Sequence, residues 1–397
     1  MNYLSNRVEK LAESETLAMS RLGNELKEKG IDVINMSLGE PDFATPDFVK
    51  EAAKHAIDKN FSYYTPVPGY KDLQEAISQK LKRDNHLNYK PSQIVASTGA
   101  KQSIINLVMA VVNPGDEVIL PAPYWVSYSE MITLNEGKVV SLETTYQTDF
   151  KISPEQLEKA ITPKTKLFLF SNPCNPTGTM YSEKELRALG EVFKRHPHVL
   201  ICSDEIYEHI TFDGKMFSIG TIPELSDRTI TVNGLSKGFA MTGWRLGYLG
   251  APQAIASACV KIQGQFTSGT CSITQRAAIA ALKADPSVVK PMQEAFFKRR
   301  NLLISLMKEV PGIKVNNPGG AFYLFPEVSS YFGKKHGDVI IKDAKDLCMY
   351  LLNVGHVALT PGGAFGSPNY IRLSYATSED QIKEAVQRIK KALFDLK

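Results

Sequence analysis

Between residues 94 and 250 the chain alternates short β-rich runs with amphipathic stretches, and this alternation limits its possible folds more than any other feature. Candidate strands occupy residues 94–98, 117–121, 138–142, 166–171, 199–203, 229–233 and 246–250. Candidate helices at 101–112, 125–135, 153–160 and 182–195 lie between them, and 252–264 and 273–282 follow. Strands that alternate with helices in this way imply crossover connections, hence an α/β fold with a mostly parallel central sheet covered on both faces. Such a sheet binds ligands in the loops beyond the carboxyl ends of its strands. After residue 285 the pattern changes to a long helical stretch (286–309), short strands at 321–325, 356–360 and 370–374, and helices at 343–353 and 378–396. That is the pattern of a smaller α+β domain. The first 45 residues hold one clear helix, 14–29, followed by the turn-rich SLGEPDFATP. Local pattern does not say which part they join.

A chain of 397 residues is long enough for two or three structural units with a sizeable core. Its 46 Lys+Arg nearly balance 42 Asp+Glu, for a net charge of +4, and no basic run offers a footprint for nucleic acid. The longest apolar stretch, 104–112 broken by Asn106, falls far short of the roughly 20 residues a membrane helix needs. The N-terminal MNYLSNRVEKLAESET lacks the apolar core of a signal peptide. Five cysteines are scattered and show no Cys-x-x-Cys spacing. They predict free thiols in a reducing, cytoplasmic setting and no metal site. His196 and His198 flank a proline with no third ligand nearby, as in a solvated loop.

Four segments at predicted strand ends carry chemistry. STGAKQ (97–102) follows a strand and opens a helix, the setting in which backbone N–H groups capture an anion or simply make a tight turn. It is not a Walker A loop, because Ala100 precedes Lys101 and Val95 stands where the first glycine belongs. SNPCNPTG (171–178) has two Asn-Pro steps that stiffen the loop and fix Asn175 at a strand end. SDEIYEH (203–209) puts Asp204 just beyond an apolar strand, where a partly desolvated carboxylate needs a cationic or hydrogen-bonding partner or serves as a helix cap. Tyr207 can point to the same pocket. NGLSKGFAMTGWRLGY (233–248) sets Lys237 just past a strand among small residues, where a desolvated lysine becomes a nucleophile. Ser236 and Arg245 add a hydroxyl and a guanidinium suited to a phosphate.

Together with GEPDF, YTPVPG, APYWVSY and IRLSYA, these segments resemble the class I aminotransferases of fold type I, enzymes dependent on pyridoxal 5'-phosphate, and within them the subgroup Ib aspartate aminotransferases. The resemblance runs from SETLA near residue 14 to RLSYATSE at 372–379. It implies that residues 1–45 join 286–397 in a small domain beside a large cofactor-binding domain at 46–285. It further implies that Lys237 holds the cofactor covalently and moves the substrate proton, and that Asp204 pairs with the pyridine nitrogen. Tyr207 and Asn175 would reach the ring oxygen, and Trp125 would stack on the ring. The phosphate would be held by N–H groups at Gly99, Ala100 and Lys101, by Ser236 and Arg245, and by Tyr64 of a partner subunit in a homodimer. Arg372, with Gly39 and Asn175, would take the substrate α-carboxylate. Lys101, Ser14 and Thr16 would receive its side-chain carboxylate.

The expected reaction is transamination between L-aspartate and 2-oxoglutarate. Two alternatives keep the same site: amination of prephenate, and β-elimination from cysteine conjugates. A cofactor-binding regulator would need a DNA-binding segment, and no helix-turn-helix pattern precedes or follows the aminotransferase-like part.

Overall fold

A computed structural model describes residues 3–397. At its centre seven strands lie in the order Ile94–Ser97, Gly247–Gly250, Thr229–Gly234, Leu200–Asp204, Thr165–Ser171, Glu117–Pro121 and Lys138–Leu142. All neighbours are parallel except Gly247–Gly250, which runs antiparallel to both strands beside it. The α/β expectation therefore holds, and each predicted strand falls within a residue or so of the observed one. Most of these strands are buried along their whole length, as in a sheet covered on both faces; Lys138–Leu142 at the edge is not.

Helices cover the sheet. Ala100–Val111 and Gln253–Phe266 pack against each other across Ile104, Leu107, Val108, Ala256 and Cys259. Glu183–Arg195 buries Leu186, Leu189, Val192 and Phe193 on the other face. Its start is set by Ser182, whose hydroxyl accepts from the Glu185 N–H while the Glu185 side chain accepts from the Ser182 N–H. Two helices absent from the sequence reading, Asp47–Asp58 and Lys71–Asn85, pack on Ser272–Lys283 through one apolar face each, Val49 with Ala53 and Leu73 with Ile77.

The first strand of the chain, Ile34–Asn35, pairs in parallel with Val357–Ala358, more than 300 residues later. Ile371–Ser374 lies between Thr360–Pro361 and Tyr323–Leu324. The long helix Lys290–Lys308 and the final helix Glu379–Phe394 pack against each other beside these short strands. Among the described residues no helix is long and apolar enough to cross a membrane. None of the five cysteines is paired, and no cluster of metal-ligating side chains occurs among the described residues.

Candidate active site

The carboxyl ends of the strands open into a cavity of 510 Å³. All the residues singled out from the sequence line it except Gly99 and Tyr64. The parallel register explains the convergence: Ser171 lies opposite Asp204, and Asp204 opposite Val232, so the loops after three strands leave the sheet at one level.

Asp204 ends its strand and is 4 % exposed. Its Oδ2 accepts from the Tyr128 hydroxyl at 2.6 Å, and its Oδ1 accepts from the Ile206 N–H at 3.3 Å. Burial pushes the carboxyl up to about 6, against the Tyr128 and Ile206 hydrogen bonds and the Lys237 charge. The helix-cap alternative does not apply, because no helix begins at Asp204. Lys237 stands three residues beyond the end of Thr229–Gly234, and its Nζ donates to the Gly39 carbonyl. Burial brings its ammonium down to about 8 despite Glu40, with Arg372 and Arg245 helping to lower it. An amine so placed is in part neutral near pH 8, the form that attacks a carbonyl carbon.

At one end of the cavity the chain is drawn tight. Gly99, at φ +86°, caps the helix Ala100–Val111, and a Cβ there would stand 2.4 Å from an Arg245 guanidinium nitrogen. A Cβ on Gly247 would stand 2.1 Å from the Ala100 nitrogen. Glycine at both positions lets the helix start, Arg245 and the antiparallel strand crowd together. The Gly99 N–H donates within its own turn to Ser97 O at 2.7 Å. The N–H groups of Ala100 and Lys101, in the first helical turn, have no intrahelical acceptor. With Ser236 and Arg245 on the same cavity wall they form a cradle suited to a phosphate.

At the other end Arg372 is fully buried on Ile371–Ser374, donating to Asn175 Oδ1 at 2.9 Å and to Ser37 O. Its guanidinium lies 4.6 Å from the centre of the Tyr323 ring and 5.0 Å from that of Phe365, while its Nε has no partner. A buried guanidinium with an unmet donor, at the wall of a cavity, suits a carboxylate. The Tyr207 and Tyr323 hydroxyls meet at 2.7 Å. Lys101 Nζ lies 4.9 Å from the centre of the Trp125 ring. Ser14, at the N-cap of Glu15–Glu28, leaves its hydroxyl out of any cap hydrogen bond, and Ser14 and Thr16 line the cavity together with Lys101 and Trp125. Tyr64 lies outside the cavity and is 99 % exposed.

Sequence reasoning missed Tyr128, Tyr323 and Glu40. Tyr128 sits inside APYWVSY, and Glu40 inside GEPDF, so the signal was present but carried no separate role. Tyr323 lies 116 residues from Tyr207 and has no motif of its own.

Comparison with known proteins agrees with this geometry. The family model described as "Aminotransferase class I and II" matches residues 31–389. A bifunctional aspartate aminotransferase and glutamate/aspartate-prephenate aminotransferase of Petunia hybrida is 47 % identical over 99 % of this chain and 83 % of its own. An aspartate/prephenate aminotransferase of Nitrosomonas europaea is 46 % identical over 97 % of this chain and 98 % of its own. The crystal structure of an aspartate aminotransferase from Rhizobium meliloti superimposes with a TM-score of 0.96 at 41 % identity, covering 100 % of both chains. A phosphate cradle, a nucleophilic lysine and a buried carboxylate facing one cavity fit pyridoxal phosphate. The chain belongs to the class I and II aminotransferases, enzymes that depend on pyridoxal phosphate.

Proposed function

We propose that the protein transfers the amino group of L-aspartate to 2-oxoglutarate, yielding oxaloacetate and L-glutamate in two alternating half-reactions. One observation carries this: a single cavity holds Lys237, Asp204 and two cations, Arg372 and Lys101, suited to the two carboxylates of a dicarboxylic substrate. The relatives named for aspartate support it.

Pyridoxal phosphate, when bound, supplies an electron sink for the carbanion left when the substrate Cα loses its proton. The remaining work falls to the chain. Ala100 and Lys101 N–H groups, Ser236 and Arg245 would hold the phosphate. Asp204 would pair with the ring nitrogen, Trp125 would stack on the ring, and Tyr207 and Asn175 would hydrogen-bond the ring oxygen. Arg372 orients the α-carboxylate so that the Cα proton faces Lys237. The Lys237 amine, lowered to about 8 by burial, takes that proton and returns it, acting as general base and then general acid near neutral pH. Lys101 pairs with the side-chain carboxylate, and Ser14 and Thr16 help exclude water above it.

A second reading adds prephenate as amino acceptor. Relatives at 46–47 % identity carry that activity in their names, and a lysine point charge tolerates more carboxylate positions than a guanidinium fork. The proposal includes a homodimer in which Tyr64 of the partner subunit completes the phosphate site. It also includes a small domain of residues 1–45 with 286–397 beside a large one at 46–285, supported by the pairing of Ile34–Asn35 with Val357–Ala358. Free cysteines suit a cytosolic location.

The test is spectroscopic. Aspartate added to the purified protein bleaches the visible band of the bound cofactor, and 2-oxoglutarate restores it. A band indifferent to aspartate overturns the proposal, and pyruvate and ammonia released from an added cysteine conjugate without an oxo-acid acceptor assign β-elimination instead.

A further inference from the structure

The Asp204 carboxylate is held by a residue that neither the sequence motifs nor the proposed mechanism assigns. Tyr128 lies in the first turn of Ser127–Leu134, is 1 % exposed, and donates its hydroxyl to Asp204 Oδ2 at 2.6 Å across 76 residues of sequence. The ring stands edge-on to Trp125, with centroids 5.4 Å apart and planes at 89°. One helix start thus carries both the indole at the cavity wall and the donor behind the carboxylate. The other Asp204 oxygen has only the long 3.3 Å bond from the Ile206 N–H. A buried carboxylate stays charged only where donors compensate for lost water, and here the phenol is the short, well-placed one.

We propose that Tyr128 is a positioning residue: its hydroxyl keeps Asp204 ionised and fixes the orientation in which the carboxylate meets a cation in the cavity. The role of that cation as the pyridine nitrogen rests on the proposed cofactor chemistry, but the effect on Asp204 does not. Loss of a hydrogen bond to a buried charge is worth about ten- to a hundredfold in the ionisation equilibrium. Tyr128→Phe, which removes one oxygen and keeps the ring packed, should therefore raise the Asp204 midpoint from about 6 by roughly one to two pH units.

The experiment has a readout that needs no activity. In cofactor-free protein the Asp204 carboxyl stretch, identified by its loss in Asp204→Asn, is titrated by infrared spectroscopy. The midpoint moves up in Tyr128→Phe and down when site-specific 3-fluorotyrosine, a stronger donor, replaces Tyr128. An unchanged midpoint in both variants overturns the proposal. In a second arm, the affinity for pyridoxal phosphate drops about tenfold in Tyr128→Phe at pH 6.5, and the gap closes by pH 9, where Asp204 is charged in both proteins. A loss that is constant with pH marks Tyr128 as packing only and also counts against it. Wild-type protein that fails to bind pyridoxal phosphate refutes the cofactor reading, while the infrared arm still decides the role of Tyr128.

Discussion

Replacing Lys101 by Gln should separate acidic from neutral amino acids as substrates. The change removes the charge, keeps most of the length of the side chain, and leaves the backbone N–H in the first turn of Ala100–Val111. Lys101 lies 4.9 Å from the centre of the Trp125 ring, and burial, then the Arg245 charge, holds its ammonium below the usual lysine range. A bond from an ammonium to a carboxylate contributes about 1.5–3 kcal/mol when sheltered, and an exposed pair about 0–1 kcal/mol. Lys101 is exposed on the cavity lining, where a bound substrate would shelter it, so the loss should be about 1.5–2.5 kcal/mol. That corresponds to a fall in kcat/KM for aspartate and glutamate of roughly ten- to seventyfold. The lost cation–π contact with Trp125, about 0.5–1 kcal/mol, falls on every substrate alike. The ratio of kcat/KM for aspartate to that for alanine or phenylalanine, measured in steady state, isolates the carboxylate contact. An equal fall for acidic and neutral amino acids would show that Lys101 serves the phosphate end alone.

Two further outcomes follow from burial and crowding. Asp204 has its pKa raised from 3.8 to about 6 on folding, so its ionisation favours the unfolded chain. The Asp204 contribution to stability falls as pH rises from about 4 to about 6 and then levels off, and cofactor-free Asp204→Asn should gain about 3 kcal/mol over wild type at pH 7–8 and nothing at pH 4 in denaturant titrations. The same variant loses turnover by orders of magnitude, because Asn cannot balance a pyridinium charge. Gly247→Ala puts a Cβ 2.1 Å from the Ala100 nitrogen, and backbone cannot yield cheaply. It should lower the melting temperature and release pyridoxal phosphate on dialysis more than Gly243→Ala, where a Cβ meets open space.

Much of this site is written locally. Asp204 ends a strand, and Asn175 and Lys237 each come a few residues after one, with the apolar runs plain in the sequence, so strand ends alone locate them. Contacts between distant segments are not so written. The Tyr207–Tyr323 hydroxyl pair and the Tyr128–Asp204 bond join residues 116 and 76 positions apart, and nothing in either segment encodes the other. The same holds beneath the site, where Lys80 pairs with Glu208 and also donates to Asn85 at 2.8 Å, in a buried cluster that braces the turn after Asp204. Strand pairing of only two residues, as for Ile34–Asn35, leaves no periodicity to detect, so its place beside Val357–Ala358 was legible only through the family resemblance. That Gly99, at φ +86°, turns its own N–H back onto Ser97 O is likewise a detail of dihedral angle rather than of residue type.

The central claim is that Lys237 is the covalent anchor for pyridoxal phosphate and the group that moves the Cα proton. Borohydride reduction of the native protein, followed by peptide mapping, tests it most directly, with Lys237→Ala as companion. The account predicts a single reduced pyridoxyl adduct on Lys237, and a variant that still binds the cofactor through its phosphate cradle but loses nearly all turnover. An adduct on Lys101 or Lys261, or near-native turnover in Lys237→Ala, would contradict it.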